Sequence, residues 1–304
     1  LVPALTFVST ATAALYNGLE PTFVDCDPLT LSLDLNDLES KITADTVAVM
    51  PVHFGGHPVQ MDRLLDLARK RRLAVIEDCA HCAGGSYKGR KLGTWGDIGC
   101  FSFEEKKSMT TGDGGMIVSD RADLIEPLRA YRWVGIDKDT WKRASSDGEL
   151  QTNDARHWYY EVAVLGYKYN MNDLMAAIGL AQLRKLDGMN NRRSKIIARY
   201  LDGIRGCSRV APLLPYDLHE SAYWMFGVRC DDRDRLIIFL RNREIATGVH
   251  YMPLPMHPLF REVPARIPIA EREWRRMVTL PLFADMSDAE VDYVIEALVA
   301  FEKQ

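Results

Sequence analysis

The sequence predicts an α/β protein with a large first domain on a mainly parallel sheet and a smaller α+β domain after it. Between residues 46 and 119, apolar runs typical of buried strands alternate with amphipathic stretches typical of helices. Such alternation indicates a parallel sheet with helices on both faces. Beyond residue 204, a strand–helix–strand pattern follows two long helical segments. A chain of 304 residues is long enough for both domains.

In the first domain, the pattern of a helix with Leu64, Leu65 and Ala68 at helical spacing covers residues 61–72. Strand patterns cover residues 46–54, 73–79, 99–103 and 115–120. Ligands of parallel sheets bind at the carboxyl ends of the strands. We therefore expect three charged positions at one edge of the sheet: Asp78, the Lys106-Lys107 pair and Asp120.

Residues 170–204 show helical periodicity, with a predicted interruption near Asp187-Gly188 that we take as the domain boundary. The predicted domains are residues 1–187 and residues 188–304. In the second domain, the patterns indicate a strand, a helix and a strand at residues 222–230, 232–243 and 245–251. Near the end, Ser287 and Glu290 have the spacing of a capping box, which predicts the start of a final helix.

Composition excludes several classes of protein. The net charge of -4 gives no basic surface for nucleic acid, and no apolar run approaches the ~18 residues of a membrane span. Six cysteines in a chain of this length do not make a disulfide scaffold, so reduced thiols and a cytoplasmic location are expected. The chain opens on "LVPALTFVSTATAALYNG", which is typical of the middle of a domain, and we expect upstream sequence to be missing.

Local patterns around the first strands leave several interpretations open. Asp78 ends an apolar strand and is either a cap for the next turn or a carboxylate that faces a cation. The single pair Cys79-x-x-Cys82 lacks the second pair that zinc sites require, which favours small buried thiols over a metal or redox site. "TTGDGG" leads into a strand rather than a helix, so a tight turn is favoured over a phosphate loop.

One cofactor requires a lysine and an acidic partner together. Pyridoxal 5'-phosphate (PLP) is bound by a lysine amine, and a partner on its pyridine nitrogen tunes the ring. The amine must be neutral to react, and burial near a cationic ring lowers the pKa of lysine from its usual value of about 10.4. The lysine pair and Asp78 make PLP a candidate cofactor.

A series of motifs along the whole chain resembles the DegT/DnrJ/EryC1/StrS aminotransferase family. Members of this family are PLP-dependent enzymes of fold-type I that aminate nucleotide-linked keto-sugars. The motifs occur in the family's order: "TFVSTATA", "PTFVDCDPLTL", "VIEDCAHCAG", "YKGRKLGTWGDIGCFSF", "K-x-x-T-T-G-D-G-G", "LGYKYNMNDLMAAIGLAQL" and "TGVHYMPLPMHPLF".

The resemblance implies a role for five positions. Lys107, five residues after Ser102, is the expected Schiff-base lysine, and Ser102 is expected to donate its hydroxyl to the cofactor phosphate. Asp78 is expected to pair with the pyridine nitrogen. His81 occupies a position near the phenolic oxygen of the cofactor, and Phe7 matches the aromatic residue that stacks on the ring.

The chain departs from the family pattern at two places. Many members have Gly-Tyr-Asn-x-Arg where this chain has "GYKYN", so Lys168 is either a phosphate ligand for the partner subunit or a surface lysine. The family's Gly/Ser-Thr segment ahead of "PALTF", which helps to bind the phosphate, is absent from the sequence. In this chain, the resemblance therefore implies cofactor-binding roles for Phe7, Asp78, His81, Ser102, Lys107 and Lys168.

The resemblance implies a homodimer with shared active sites and a reaction in two halves. L-Glutamate first gives its amino group to the cofactor and leaves as 2-oxoglutarate. A nucleotide-diphosphate-linked keto-sugar then receives the amine, for amino-sugar or cell-surface polysaccharide biosynthesis. A pyridoxamine-dependent sugar dehydratase is the first alternative, although its lysine position holds a histidine. A non-catalytic regulatory protein of the same fold is the second.

Overall fold

The computed structural model describes residues 1–136, 160–219 and 221–304. Within these residues, the first part of the chain is built around a four-stranded sheet of order β3-β4-β7-β8. Its strands are β3 (Ala48–Val49), β4 (Ala74–Asp78), β7 (Ile98–Ser102) and β8 (Gly115–Val118). The first three strands are parallel and β8 is antiparallel to β7. The predicted mainly parallel sheet is therefore present.

Two short strand pairs accompany this sheet. Strand β1 (Val2–Pro3) pairs in parallel with β2 (Phe23–Val24), and β5 (Ser86–Tyr87) forms an antiparallel hairpin with β6 (Arg90–Lys91). The helices between the strands are α1 (Ser9–Tyr16), α2 (Leu35–Lys41), α3 (Met61–Arg71) and α4 (Ala122–Arg132). Helix α3 buries Met61, Leu64 and Ala68 on one face, as their spacing predicts.

The region predicted as two helical segments is one helix, α5 (Asp173–Gly203), so the interruption predicted at Asp187-Gly188 is wrong. Glycine in a helix interior costs only about 1 kcal/mol, which is too little to break a helix of this length. The boundary placed between residues 187 and 188 stays a prediction, and it would fall inside this helix.

The last part of the chain folds around a three-stranded antiparallel sheet of order β11-β10-β9. Its strands are β9 (Ala211–Pro212), β10 (Phe226–Arg229) and β11 (Met277–Leu280), and its helices are α6 (Arg233–Arg241), α7 (Pro268–Trp274) and α8 (Asp288–Glu302). Three short 3-10 turns lie at Phe54–Gly56, Leu254–Met256 and Pro258–Phe260. The predicted capping box at Ser287 and Glu290 is present.

The strand predicted at residues 245–251 is wrong, because only Gly248 pairs there, in a single bridge to Thr279. The largest core cluster joins both parts of the chain: Leu5 and Phe23 from the first part lie in the same cluster as Tyr200, Phe226 and Phe301. Within the described residues, no helix is long and apolar enough to cross a bilayer.

Neighbouring carboxylates on β4 face opposite sides of the sheet, as the alternation of a strand requires. Glu77 is fully buried, and its Oε1 accepts hydrogen bonds from the backbone N–H groups of Trp95 and Gly96, both at 2.7 Å. Its Oε2 lies 2.8 Å from the Gly93 nitrogen and 3.1 Å from His53 Nε2. Glu77 thus holds the turn before β7, while Asp78 faces the other side.

Replacing this buried carboxylate is expected to destabilise the protein. The Val59 N–H donates to His53 Nδ1 at 3.2 Å, so the ring is neutral and its Nε2–H donates to Glu77. Burial raises the pKa of Glu77, but hydrogen bonds from His53 and the backbone bring it below its usual value. Glu77→Gln replaces one acceptor oxygen with an NH2 group and should therefore lower the free energy of unfolding by about 3 kcal/mol near neutral pH.

The loss of unfolding free energy in Glu77→Gln should depend on pH. The contribution of Glu77 is full above its unfolded pKa of about 4.3 and disappears as the pH falls through its lowered pKa in the folded protein. Denaturant unfolding of wild type and Glu77→Gln should thus differ most above about pH 5 and converge as the pH falls. Glu105→Gln, at an exposed position, is the control, and an equal change in both variants would contradict this account.

Candidate active site

A cavity of about 650 Å³ lies at the carboxyl ends of the parallel strands. Asp78 ends β4 and Ser102 ends β7, and the pairing of Asp78 with Cys100 brings these two strand ends together. Lys107 enters from the loop after β7. The predicted residues Phe7, Asp78, His81, Ser102 and Lys107 all line this cavity. Strands that end at the same edge of a sheet explain this convergence.

Asp78 is held by neutral donors and forms no salt bridge with any of the described residues. Its Oδ2 accepts a hydrogen bond from Thr10 Oγ1 at 2.8 Å, and its Oδ1 accepts one from the Ala80 N–H at 3.1 Å. Thr10 is buried and its hydroxyl also contacts that of Thr6. A half-buried carboxylate in this setting favours a positively charged partner in the cavity.

Lys107 has the properties of a reactive amine. Burial lowers its pKa, and the negative charges of Glu104 and Asp78 oppose this only in part. Its Nζ lies 4.7 Å from the centroid of the Trp224 ring. The side chain of Lys106, in contrast, is 75% exposed and lies near Glu105. Burial therefore favours the neutral form of the Lys107 amine.

His81 is fixed as a neutral ring. Burial, together with the nearby amine of Lys107, holds its pKa well below the usual value. The Gly55 N–H donates to Nδ1 at 3.3 Å, so the single ring proton is on Nε2, which lies 3.1 Å from the hydroxyl of Tyr251. Nε2 therefore donates to the Tyr251 oxygen, and the phenol proton points elsewhere, towards the cavity or solvent.

Ser102 and Phe7 also line the cavity. Ser102 Oγ accepts a long hydrogen bond from the Glu104 N–H, at 3.4 Å, which leaves its proton free to be donated. The ring of Phe7 is 54% exposed and lies 5.9 Å from that of Tyr251. An exposed aromatic ring on a cavity wall can stack on a flat ligand.

Lys168 does not join this cavity in its own chain. Its Nζ lies 4.0 Å from the centroid of the Trp133 ring and contacts Asn170 Oδ1. Its expected role toward the phosphate of a partner subunit stays a prediction, since one chain cannot test it. Asp120 is also absent from the site, and the expectation that it lies at this edge is wrong. Strand β8 is antiparallel, which places Asp120 at the other edge near Arg90.

Sequence reasoning missed several residues of the cavity. The ring of Trp224 stacks on His81 at 4.2 Å and lines the cavity. Thr10 lines it too. His250 and Tyr251, from the motif "TGVHYMPLPMHPLF", also lie in its wall, and His250 is hydrogen-bonded to Thr279. Trp224 and Thr10 reach the site through contacts between distant parts of the chain, which no local pattern indicates.

The cysteine pair does not form a usable metal site. His53, Cys79 and Cys82 are buried, with their potential ligand atoms within 4.8 Å of one another. However, His53 Nδ1 already accepts the Val59 N–H at 3.2 Å, and Nε2 is bonded to Glu77. Neither ring nitrogen has a lone pair free for a metal. The burial and raised pKa of Cys79 agree with the interpretation as buried thiols.

A family model for the DegT/DnrJ/EryC1/StrS aminotransferase family matches residues 1–299. The chain belongs to this family. It is therefore a PLP-dependent aminotransferase of fold-type I, as the sequence motifs predicted. The donor set in the cavity fits this cofactor, since it offers an amine of lowered pKa, a carboxylate without a salt bridge to the described residues and a free hydroxyl.

Individual relatives agree with the assignment. SpsC, a spore coat polysaccharide biosynthesis protein of Bacillus subtilis, is 38% identical over 97% of this chain and 76% of its own length. Spr1654 of Streptococcus pneumoniae has been solved in a PLP-form and a PMP-form. The PMP-form is 29% identical with a TM-score of 0.90, covering 99% of this chain and 81% of that one. The sugar aminotransferase CalS13 of Micromonospora echinospora is 32% identical, with a TM-score of 0.86 over 98% and 79% of the two chains.

Proposed function

We propose that this aminotransferase moves an amino group from L-glutamate to a nucleotide-diphosphate-linked keto-sugar, in amino-sugar or polysaccharide biosynthesis. The observation that carries the aminotransfer is the convergence of Lys107, Asp78 and Ser102 on one cavity. The sugar acceptor is supported by the similarity to CalS13, and the polysaccharide by the similarity to SpsC. The donor and the nucleotide rest on the family resemblance of the sequence motifs.

Each residue of the cavity has a defined task in this proposal. When bound, PLP supplies a protonated ring that withdraws electrons and stabilises negative charge at the substrate carbon. Lys107 Nζ would hold the cofactor and, when not attached to it, would move the proton of the substrate Cα. Asp78 would keep the proton on the ring nitrogen, and Ser102 would donate its hydroxyl to the phosphate. Phe7 and His81, which line the cavity, would orient the ring.

The electrostatics of the cavity support a proton transfer at Lys107. Its lowered pKa raises the fraction of neutral amine near neutral pH. Burial raises the pKa of Tyr251 and lowers that of His250, so both are uncharged near neutral pH. The acidic and basic side chains that line the cavity besides the histidines are then Asp78, Glu104, Lys106 and Lys107.

A homodimer is part of this proposal. The first half of α5 and the segment before it expose large apolar side chains, of which Leu165 is 93% exposed. Others among them are Leu174, Ile178, Leu180 and Leu183. Exposed apolar surface of this extent is typical of a protein interface. Sedimentation of the protein should give the mass of two chains, and a monomer at micromolar concentration would argue against shared sites and against Lys168 as a partner ligand.

A cytoplasmic location is also proposed. All six cysteines lie within the described residues and none is paired, although only two residues separate Cys79 from Cys82. Reduced thiols are typical of a reducing compartment.

The reaction can be tested with L-glutamate and a panel of nucleotide-linked keto-sugars. The proposal predicts an amino-sugar and 2-oxoglutarate in equal amounts, with no product when glutamate is omitted. Loss of water from a deoxy-keto-sugar without transfer of nitrogen would instead show the dehydratase alternative. Cofactor binding without turnover of any acceptor would favour the non-catalytic alternative.

A further inference from the structure

Two adjacent lysines line the cavity, and they differ in exposure: the Lys106 side chain is 75% exposed, whereas the Lys107 amine lies against the Trp224 ring. The peptide unit between Lys106 and Lys107 is held on both of its polar sides. The Lys107 N–H donates to the carbonyl of Glu104 at 3.0 Å, and the Lys106 carbonyl accepts the indole N–H of Trp224 at 2.5 Å. The second contact joins residues 118 positions apart in the chain.

The position of Trp224 is itself fixed by contacts with Gly55 and His81. Its backbone N–H donates to the Gly55 carbonyl at 3.1 Å, while the Gly55 N–H donates to His81. The indole stacks on the His81 ring with an angle of 10° between the planes. Gly55 has a φ of 62°, and a Cβ there would lie 2.9 Å from Met225. Glycine is therefore favoured at this position, which bonds both Trp224 and His81.

The ring of Trp224 makes a second contact with the same loop. Lys107 Nζ lies over the ring at 4.7 Å, within the range of a cation–π interaction. One side chain therefore binds the backbone of the loop and also lies against the amine that faces the cavity.

We propose that Trp224 is a positioning residue that selects Lys107, rather than Lys106, as the amine that takes the cofactor. This inference rests on the proposed role of Lys107. Successive side chains leave the backbone in different directions, so fixing the peptide between them fixes which amine faces the cavity. Without the indole N–H, the Lys106 carbonyl loses its partner, and the peptide unit can turn.

The test maps where the cofactor attaches. Wild type, Trp224→Phe and the control Trp274→Phe are incubated with pyridoxal 5'-phosphate, reduced with borohydride and digested, and the modified lysine is identified by mass spectrometry. Phenylalanine keeps a ring but lacks the N–H. Loss of one hydrogen bond to a fixed loop should slow labelling of Lys107 by about tenfold and raise the share at Lys106. Trp274→Phe should label as wild type does, because Trp274 lies outside the cavity.

A second comparison keeps the test decisive if Trp224→Phe is unstable. Lys107→Ala should carry no label at Lys106, because the Trp224 contact holds Lys106 outward, whereas Lys107→Ala with Trp224→Phe should label there. Equal rates and sites in wild type and Trp224→Phe, or labelling of Lys106 in Lys107→Ala alone, would overturn the selection by Trp224. Wild-type protein labelled at neither lysine would contradict the proposed function itself, and the inference with it.

Discussion

Lys107→Ala is expected to abolish the visible absorbance of the bound cofactor and to lower the rate of amino transfer by at least about 1,000-fold. In the proposed mechanism the variant loses both the covalent attachment and the base that moves the Cα proton, and the other lysine that lines the cavity among the described residues, Lys106, is 75% exposed. Absorbance of the protein after addition of PLP and gel filtration measures the first loss. Single-turnover formation of 2-oxoglutarate measures the second.

Lys106→Ala is the matched comparison for this experiment. It removes the exposed amine but keeps the backbone carbonyl that Trp224 binds. It should keep the visible absorbance. If the absorbance survives in Lys107→Ala and disappears in Lys106→Ala, the assignment of the two lysines is reversed.

Asp78→Asn is expected to have the second-largest effect, a loss of about 100- to 1,000-fold in turnover. An amide of the same shape can accept the hydrogen bond from Thr10, but it carries no charge to keep a proton on the ring nitrogen. The ring then withdraws electrons less strongly, and the Cα proton becomes harder to remove. Steady-state rates with L-glutamate, together with cofactor affinity, separate a chemical defect from weaker binding.

Asp120→Asn is the control for charge, because Asp120 lies at the opposite edge of the sheet. It should retain wild-type turnover. If Asp78→Asn retained full turnover with unchanged cofactor affinity, Asp78 would have no role in the chemistry, and its contacts with Thr10 and Ala80 would be its whole function.

The strands that build the site could be predicted because their signals are local. The runs that became β4 and β7 are short, apolar and followed by polar residues, and parallel neighbours place such ends together. Asp78 and Lys107 could be placed at one edge on this basis. Asp120 could not be placed correctly, because the direction of β8 depends on its pairing with β7 and not on its own residues.

Other features depend on contacts between distant segments. Trp224 is as apolar as a core residue, and only its contacts with His81 and Lys106 show that it is a wall of the cavity. The same holds for Tyr251, which reaches His81 across 170 positions. The uninterrupted helix α5 was not predicted either. The free energy gained by the other residues of this long helix outweighs the small cost of Gly188.

The most direct test of the account is the titration of the PLP-loaded wild-type protein with L-glutamate in the absence of any acceptor. We predict that the visible absorbance of the Lys107-bound cofactor is lost as glutamate is added, with one 2-oxoglutarate released per active site. An unchanged spectrum with no 2-oxoglutarate would contradict the claim that Lys107 and Asp78 hold PLP for transfer of the glutamate amino group.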